Sequence, residues 1–420
     1  MIKHNDMLDE ELYINQLSSG IKCYIMPKAG YVEKQAMLTV CYGSADSRYT
    51  VNNQTVKNPE GIAHFLEHKL FEGEDNALFG RFTEIGGSVN AFTTFNQTAY
   101  YVSCIDNFED NLKLLFSFCQ NPHITDENVE KEKGIISQEI RMYDDTPSWR
   151  AYMNLNAALY GDSPLSASIT GSVDSIQNIF RQDLLNCYRS FYFPENMALV
   201  CAGDLDPDQV ARLTDASIIP KPNNDIKRGY STDSSGANQK YIDVSMPISM
   251  PLFDLGFKET DFDCHPCMRI VSSKILLDMI AGESSELYER MYNENLIDGS
   301  FGMDYISGTS HGVSIFSGAS PDPVLVREYI LNEIQLLKRS GLNRIRFENI
   351  KRKHIGRYIR GFNSIGQIAQ TQADLYTKGL DVFELMDCFS NITFEQAQAR
   401  LSSHFSEPAL SVVKPLGIST

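Results

Sequence analysis

Two distant stretches of this chain read as copies of one another: "ENVEKEKGIISQEIR", beginning at Glu127, and "ENIKRKHIGRYIRGF", beginning at Glu348. A second pair follows in the same order, "FRQDLLNCYRSFYFPENMALVCAG" from Phe180 and "FEQAQARLSSHFSEPALSVVKPLG" from Phe394. Similarity that returns at a nearly fixed spacing marks a duplicated structural unit, here of about 200 residues. Whatever the first copy folds into, the second must fold into as well.

Local patterns supply the content of the unit. "LTVCYGSAD" is a buried strand by its β-branched run, "GIAHFLEHKLFEG" and "ALFGRFTEIGG" read as helices, and Gly86 and Gly87 stop the second of them. "SVNAFTTFNQTAYYVSCID" is two strand-like runs about a turn at Asn96 and Gln97, and "FEDNLKLLFSFCQN" has helical spacing. A long helix follows over "TDENVEKEKGIISQEIRMYDD", with Thr125 or Asp126 as its N-cap, then a helix at "DLLNCYRSFY" and a closing strand at "NMALVCAGDLD". The second copy offers strands at "YIDVSMPIS" and "LFDLGFKE", one helix over "RIVSSKILLDMIAGESSELYERMY", a strand at "SIFSGAS" and a last strand at "ALSVVKP". The expected class is α+β: two homologous α/β units, each a mostly antiparallel sheet covered by helices. Between them, "IIPKPNNDIKRGYSTDSSGANQ" is rich in Pro, Asn, Ser and Gly, which predicts an N-terminal unit 1–217, a linker 218–239 and a C-terminal unit 240–420.

The duplication also acts as an internal control on "HFLEH". Aligned on Gly73 and Gly282, the positions of His64, Glu67 and His68 fall on Ser273, Leu276 and Leu277, and by the "EN" register Glu132 and Glu139 fall on Lys353 and Arg360. The polar set belongs to the first unit alone, so the fold does not require it. On a helix, His64 and His68 lie on one face and can present two imidazole nitrogens to one metal ion. Glu67, one position before the second histidine, can reach water at that ion without ligating it. H-x-x-E-H is the inverzincin order of a zinc-peptidase motif. Surface helices also carry His and Glu without function, but Ile62, Ala63, Phe65, Leu66 and Leu70 surround this trio with apolar side chains, and buried polar groups need partners. A catalytic zinc takes three protein ligands. "EKEKGIISQEI" offers Glu132 and Glu139, seven apart on one helix face; one can ligate while the other orients a ligand histidine.

Composition excludes other classes. With 42% hydrophobic and 22% charged residues the chain is ordinary globular material, and its length suits two full cores. A net charge of −17 argues against nucleic acid as a partner, since such surfaces concentrate Lys and Arg. It can draw basic peptides, though acidic charge also serves solubility. No run of about 18 apolar residues occurs and "MIKHNDMLDEELYINQLSSG" has no secretory pattern, so neither a membrane partner nor export is expected and a cytoplasmic location is. Nine cysteines, an odd number, fit reduced thiols in that compartment, and "CHPC" at Cys264–Cys267 reads as a turn before a helix.

With "HFLEH", "GGSVNAFTTFNQTAYY" at Gly86–Tyr101, "ERMYNENLI" and the two glutamates in place, the chain resembles the pitrilysin/insulinase family of zinc peptidases over nearly its full length. It is similar to the mitochondrial processing peptidase branch and to the metal-bearing subunit of bacterial two-chain zinc proteases. The resemblance implies one Zn²⁺ per chain held by His64, His68 and Glu139, with Glu132 as the supporting carboxylate and Glu67 as the general base. It implies that Asn90, Ala91, Phe92 and Thr93 form an edge strand that takes up extended peptide substrate, and that the chain makes half of a clamshell chamber. The activity implied is that of a zinc-dependent endopeptidase subunit cutting peptides or leader segments; the alternative is a non-catalytic scaffold or peptide-binding relative of the same fold. The family also carries an arginine and a tyrosine in its C-terminal unit, whereas here Tyr292 and Gly299 stand in those places and Arg290 and Tyr305 lie nearby in another register. The resemblance therefore implies a partner: a related subunit bearing that pair in a heterodimer, or a homodimer using Arg290 or Tyr305.

Overall fold

The computed structural model describes residues 1–72, 78–229 and 236–417. Ten strands belong to the first unit: β1 (Ile2–Asn5), β2 (Glu10–Gln16), β3 (Lys22–Pro27), β4 (Lys34–Val40), β5 (Arg48–Val51), β6 (Gln54–Lys57), β7 (Gly87–Thr93), β8 (Thr98–Cys104), β9 (Met197–Gly203) and β10 (Ile226–Arg228). Seven form a sheet in the order β1-β2-β3-β9-β4-β8-β7, and β10-β5-β6 make a small one. Every neighbour pair in the larger sheet is antiparallel except β3 with β9. The continuous apolar run "MALVCAG" suits β9, every residue of which is buried between two neighbours. Five more strands, β11 (Tyr241–Met246), β12 (Leu252–Lys258), β13 (Gly302–Ser307), β14 (Gly312–Ala319) and β15 (Ala409–Pro415), order as β11-β15-β12-β14-β13, again with one parallel pair, β11 with β15. The duplicated α/β units are thus present, each with a mostly antiparallel sheet.

Helix α1 (Ile62–Glu72) carries "HFLEH" and is buried along most of its length, with Phe65 and Leu66 fully covered and with His64, Glu67 and Lys69 buried as well. It starts at Gly61, whose φ of +85° and approach to the Thr170 carbonyl, where a Cβ would sit 2.4 Å from the oxygen, admit only glycine. Next come α2 (Leu78–Glu84), α3 (Phe108–Gln120) and α4 (Asp126–Asp144). Of the two candidate caps for α4, Thr125 is the one in place, its hydroxyl accepting the Asn128 N–H at 3.2 Å. Leu70 of α1, Leu112 and Leu115 of α3, and Val129, Ile136 and Ile140 of α4 share one core with β4, β8 and β9.

The compact units are not the consecutive stretches 1–217 and 240–420. One consists of Met1–Ile140, Ser168–Tyr230 and Ile359–Phe383, the other of Arg141–Ala167, Ser231–Tyr358 and Glu384–Thr420. Helix α5 (Pro147–Tyr160) packs on β11, β12 and β15, and helix Ile365–Tyr376 packs on β4 and β9, so each half of the chain lends a helix to the other's sheet. Gly256 on β12 makes room for this, since a Cβ there would lie 2.8 Å from the Leu155 side chain of α5. An amphipathic pattern shows that a helix covers something, not which sheet it covers.

Two further expectations change. The single helix expected over Arg269–Tyr292 is two, Pro266–Ala281 and Glu286–Asn293. Gly282 closes the first on the Asp278 carbonyl at 3.0 Å, and the Ser285 hydroxyl caps the second by accepting the Tyr288 N–H at 2.9 Å. The segment 218–239 is not a free connection throughout: β10 pairs with β5, and Arg228 reaches the fully buried Asp46 at 2.9 Å. Residues 230–235 of that segment, and Gly73 used in the alignment, lie outside the described residues. The Cys264–Cys267 stretch leads into helix Pro266–Ala281 with Pro266 in its first turn. No helix among the described residues is long and apolar enough to cross a membrane.

Asp254 on β12 gives a stability prediction. It is buried, and burial pushes its carboxyl up to about 7 from an ordinary value near 3.8. A carboxylate with a raised folded-state pKa binds more protons folded than unfolded, so its penalty is absent below the unfolded value and grows until pH passes about 7. Asp254→Asn is expected to stabilise the protein at pH 8 by roughly 2–4 kcal/mol and to change little at pH 4. Thermal melts at the two pH values check this; an equal shift at both would refute it.

Candidate metal centre

All five carboxylate and imidazole side chains picked out from the first unit converge on the face between α1 and α4. His64 and His68 stand one turn apart on α1 with ring centroids separated by 4.5 Å. Glu139 on α4 faces both, with Oε1 3.5 Å from His64 Nε2 and Oε2 3.3 Å from His68 Nε2. These three are the one His/Cys/Asp/Glu group among the described residues whose donor atoms all fall within 4.8 Å of one another. Ligands about 2 Å from a tetrahedral ion lie roughly 3.3 Å apart, so the two nitrogen–oxygen separations are those of a zinc site. Two imidazoles and a carboxylate are also a donor set that zinc favours and that leaves a position for water.

Each neighbouring carboxylate has a different task. Glu132, two helical turns before Glu139, places Oε1 3.0 Å from His68 Nδ1, on the side of the ring away from the Glu139 contact. With Nδ1 engaged there, the Nε2 of the same ring is left toward Glu139, the orientation a metal held by His68 would need. His64 has no equivalent: its buried Nδ1 has no hydrogen-bond partner among the described residues. Glu67 is not part of the His64/His68/Glu139 group; its Oε2 accepts the Thr93 hydroxyl at 2.6 Å. Thr93 ends β7, the outermost strand of its sheet, which is where the resemblance puts the strand that meets substrate.

Electrostatics follow from this packing. Burial works to raise the Glu139 carboxyl, but the His64 and His68 imidazoles outweigh it and hold the carboxyl far below the usual range. Burial opposes a charged His68, yet Glu132 and Glu139 together carry it up to about 9. In the metal-free chain this ring therefore holds a proton that a cation must displace, and metal uptake releases it. Glu67 goes the other way: burial raises its carboxyl above the ordinary value, only partly offset by His64 and the Thr93 hydrogen bond. Against burial, the imidazole contacts thus lower Glu139 and Glu132, while burial raises Glu67, which sets Glu67 apart from the other two carboxyls of the site.

A cleft of about 330 Å³ opens beside these groups, lined by Glu67, His68, Phe71, Phe79, Asn90 and Ala91 among others. Sequence reasoning did not single out the two phenylalanines, nor Lys69, which is fully buried and bonded to Glu132 at 3.4 Å and to the Asn128 carbonyl at 3.1 Å.

The second unit has no such centre among its described residues. Ser273, opposite His64, bonds Arg400 at 3.0 Å within a buried network that includes Glu259. Tyr305 belongs to that network, 3% exposed with its hydroxyl donated to Glu259 at 2.7 Å, so it is committed to the core. Arg290 is exposed and bonded to Glu294 and Tyr329. Tyr292, where the resemblance would put an arginine, is 53% exposed and stacks on Tyr288, and Gly299 faces open space.

Comparison with known proteins agrees with this asymmetry. Residues 37–173 match the family described as "Insulinase (Peptidase family M16)", and residues 178–353 match "Peptidase M16 inactive domain". The chain is 34% identical over 419 residues to a Bacillus subtilis protein named "Uncharacterized zinc protease YmfH", covering 97% of each. A solved structure from Alicyclobacillus acidocaldarius, described as M16-like, superposes with a TM-score of 0.92 at 32% identity, covering 97% of this chain and 98% of that one. An Arabidopsis thaliana protein named "Probable mitochondrial-processing peptidase subunit beta" is 25% identical over 260 residues, 59% of this chain and 48% of that protein. A duplicated fold whose first unit alone, among the described residues, holds a His/His/Glu group able to bind a metal, matched by two M16 family models and over nearly its full length by a protein named a zinc protease, makes this chain a member of the M16 insulinase-type peptidase family.

Proposed function

We propose that the chain is the metal-bearing subunit of a zinc-dependent endopeptidase that cuts extended peptides, and that Glu67 is its general base. The observation that carries this reading is the convergence of His64, His68 and Glu139 within 4.8 Å beside a Glu67 that does not join them. A zinc ion held by the triad supplies Lewis-acid polarisation of water and of a peptide carbonyl. The protein's own part is positional. Thr93 fixes the rotation of the Glu67 carboxylate, burial raises its affinity for a proton, and Glu67 can then accept one from water and return it to the leaving amine. Substrate backbone adds along the free edge of β7 at Asn90–Thr93, as an extra strand. The apolar walls Phe71, Phe79 and Ala91 favour a large hydrophobic side chain next to the scissile bond.

A scaffold or peptide carrier without turnover has no use for this set of groups. Digestion of unstructured peptides, with and without chelator, tests the reading: chelator-sensitive cleavage supports it, and tight peptide binding without cleavage under any metal loading would favour the carrier. The assignment of the two glutamates predicts a ranking. Glu139→Gln removes a ligand and should abolish most metal binding, whereas Glu132→Gln should weaken it by about 10–100-fold. Zinc affinity by chelator competition measures both, and the reverse order would exchange their roles.

The partner belongs to the same proposal. A relative is named as a subunit, beta, of a processing peptidase, which supports a paired arrangement. Because Tyr305 is committed to the core and Tyr292 and Gly299 replace the arginine and tyrosine, we favour a heterodimer closing a chamber with a related chain that supplies that pair over a homodimer. A cytoplasmic setting remains our reading of the sequence.

A further inference from the structure

The register that sets Ser273, Leu276 and Leu277 opposite His64, Glu67 and His68 also sets Asp278 opposite Lys69, as the "EN" register sets Lys353 opposite Glu132. In both units these positions form an ion pair joining the same two helices, but with the signs exchanged. Lys69 Nζ lies 3.4 Å from Glu132 Oε2, and Lys353 Nζ lies 2.8 Å from Asp278 Oδ1. Each carboxylate also takes a histidine next to that lysine: Glu132 faces His68 at 3.0 Å, and Asp278 faces His354 at 3.1 Å. The carboxylate–lysine–histidine cluster is therefore a strut of the duplicated fold, and its polarity is free to vary.

Only one polarity serves a metal. With the carboxylate on the facing helix, the histidine sits on α1, one turn from His64, and keeps Nε2 for an ion; in the second unit the histidine is on the other helix, and the position opposite His64 is a serine. Resting on the zinc reading above, we propose that Lys69 is a positioning residue of the metal centre: its buried ammonium holds Glu132 Oε2 so that Oε1 stays on His68 Nδ1. The ammonium is itself fixed, 0% exposed, by the Asn128 carbonyl at 3.1 Å and by Glu72 one turn along. Without it the Glu132 carboxylate would be free to turn away, and His68 would lose the contact that selects its orientation.

The test separates a positioning role from a purely structural one by measuring two quantities, zinc affinity by chelator competition and thermal unfolding of the metal-free chain. Lys69→Met should weaken zinc by about 10–100-fold, and should add little to the loss already caused by Glu132→Gln, because both act through one contact. The double variant Lys69→Asp with Glu132→Lys rebuilds the second unit's polarity. It should recover metal-free stability lost in Lys69→Asp, while zinc stays weaker by at least the Glu132→Gln amount. Wild-type zinc affinity in Lys69→Met, in either a stabilised or a destabilised protein, would overturn the proposal and leave a strut only; so would full zinc affinity in the double variant. If the unaltered chain took up no zinc, the metal reading itself would fail, and this inference with it.

Discussion

Replacing Glu67 by glutamine is expected to slow peptide hydrolysis by about 10²–10⁴-fold while zinc remains bound as in the unaltered chain. The amide keeps the size of the side chain and an oxygen to accept the Thr93 hydroxyl, so the local packing persists. It cannot take a proton. The carboxylate it replaces is buried with a raised proton affinity, whereas the two carboxylates that contact the imidazoles are shifted the other way. Hydrolysis rates and metal content, measured on the same preparation, check this. Loss of zinc together with activity would place Glu67 among the ligands, and unchanged hydrolysis would place the base elsewhere.

Much of this site is legible in the order of the residues. His64, Glu67 and His68 announce themselves because helical spacing of two imidazoles is a local property, and Glu132 and Glu139 follow because seven residues return to one helix face. The residues alone leave open which glutamate ligates. That depends on how α1 and α4 face each other, and the structure places Glu139 against both Nε2 atoms and Glu132 against Nδ1. Lys69 does not stand out, because a lysine in a helix reads as solvated until its buried partners on another helix are known. Thr93 is expected in the substrate strand, but its hydrogen bond to Glu67 depends on tertiary placement of β7. In the fold, the duplication and the sheets are legible from periodicity. The exchange of α5 and Ile365–Tyr376 between units is not, since periodicity carries no address.

The second large effect concerns the partner. On the proposed reading the isolated chain should bind zinc yet turn over slowly, because the second unit offers Tyr292 and Gly299 where the resemblance implies an arginine and a tyrosine, and Tyr305 is bonded to Glu259 in the core. Loss of one donor to the developing oxyanion typically costs about 10²–10³-fold. Adding a related chain with an arginine and a tyrosine at those positions should therefore raise turnover by at least about a hundredfold, with the two chains co-eluting as a complex. Full activity from the purified single chain, abolished by Arg290→Ala, would decide for a homodimer in which the exposed Arg290 serves.

Zinc add-back most directly tests whether this chain is a metal-dependent peptidase. Metal-stripped protein, alone and with the related subunit, is titrated with zinc while cleavage of an unstructured peptide is followed. Metal dependence predicts no cleavage when stripped and a rise that saturates at one zinc per copy of this chain, in line with its single His64/His68/Glu139 group among the described residues. Cleavage that survives stripping, or none at any zinc level with the related subunit present, would contradict it.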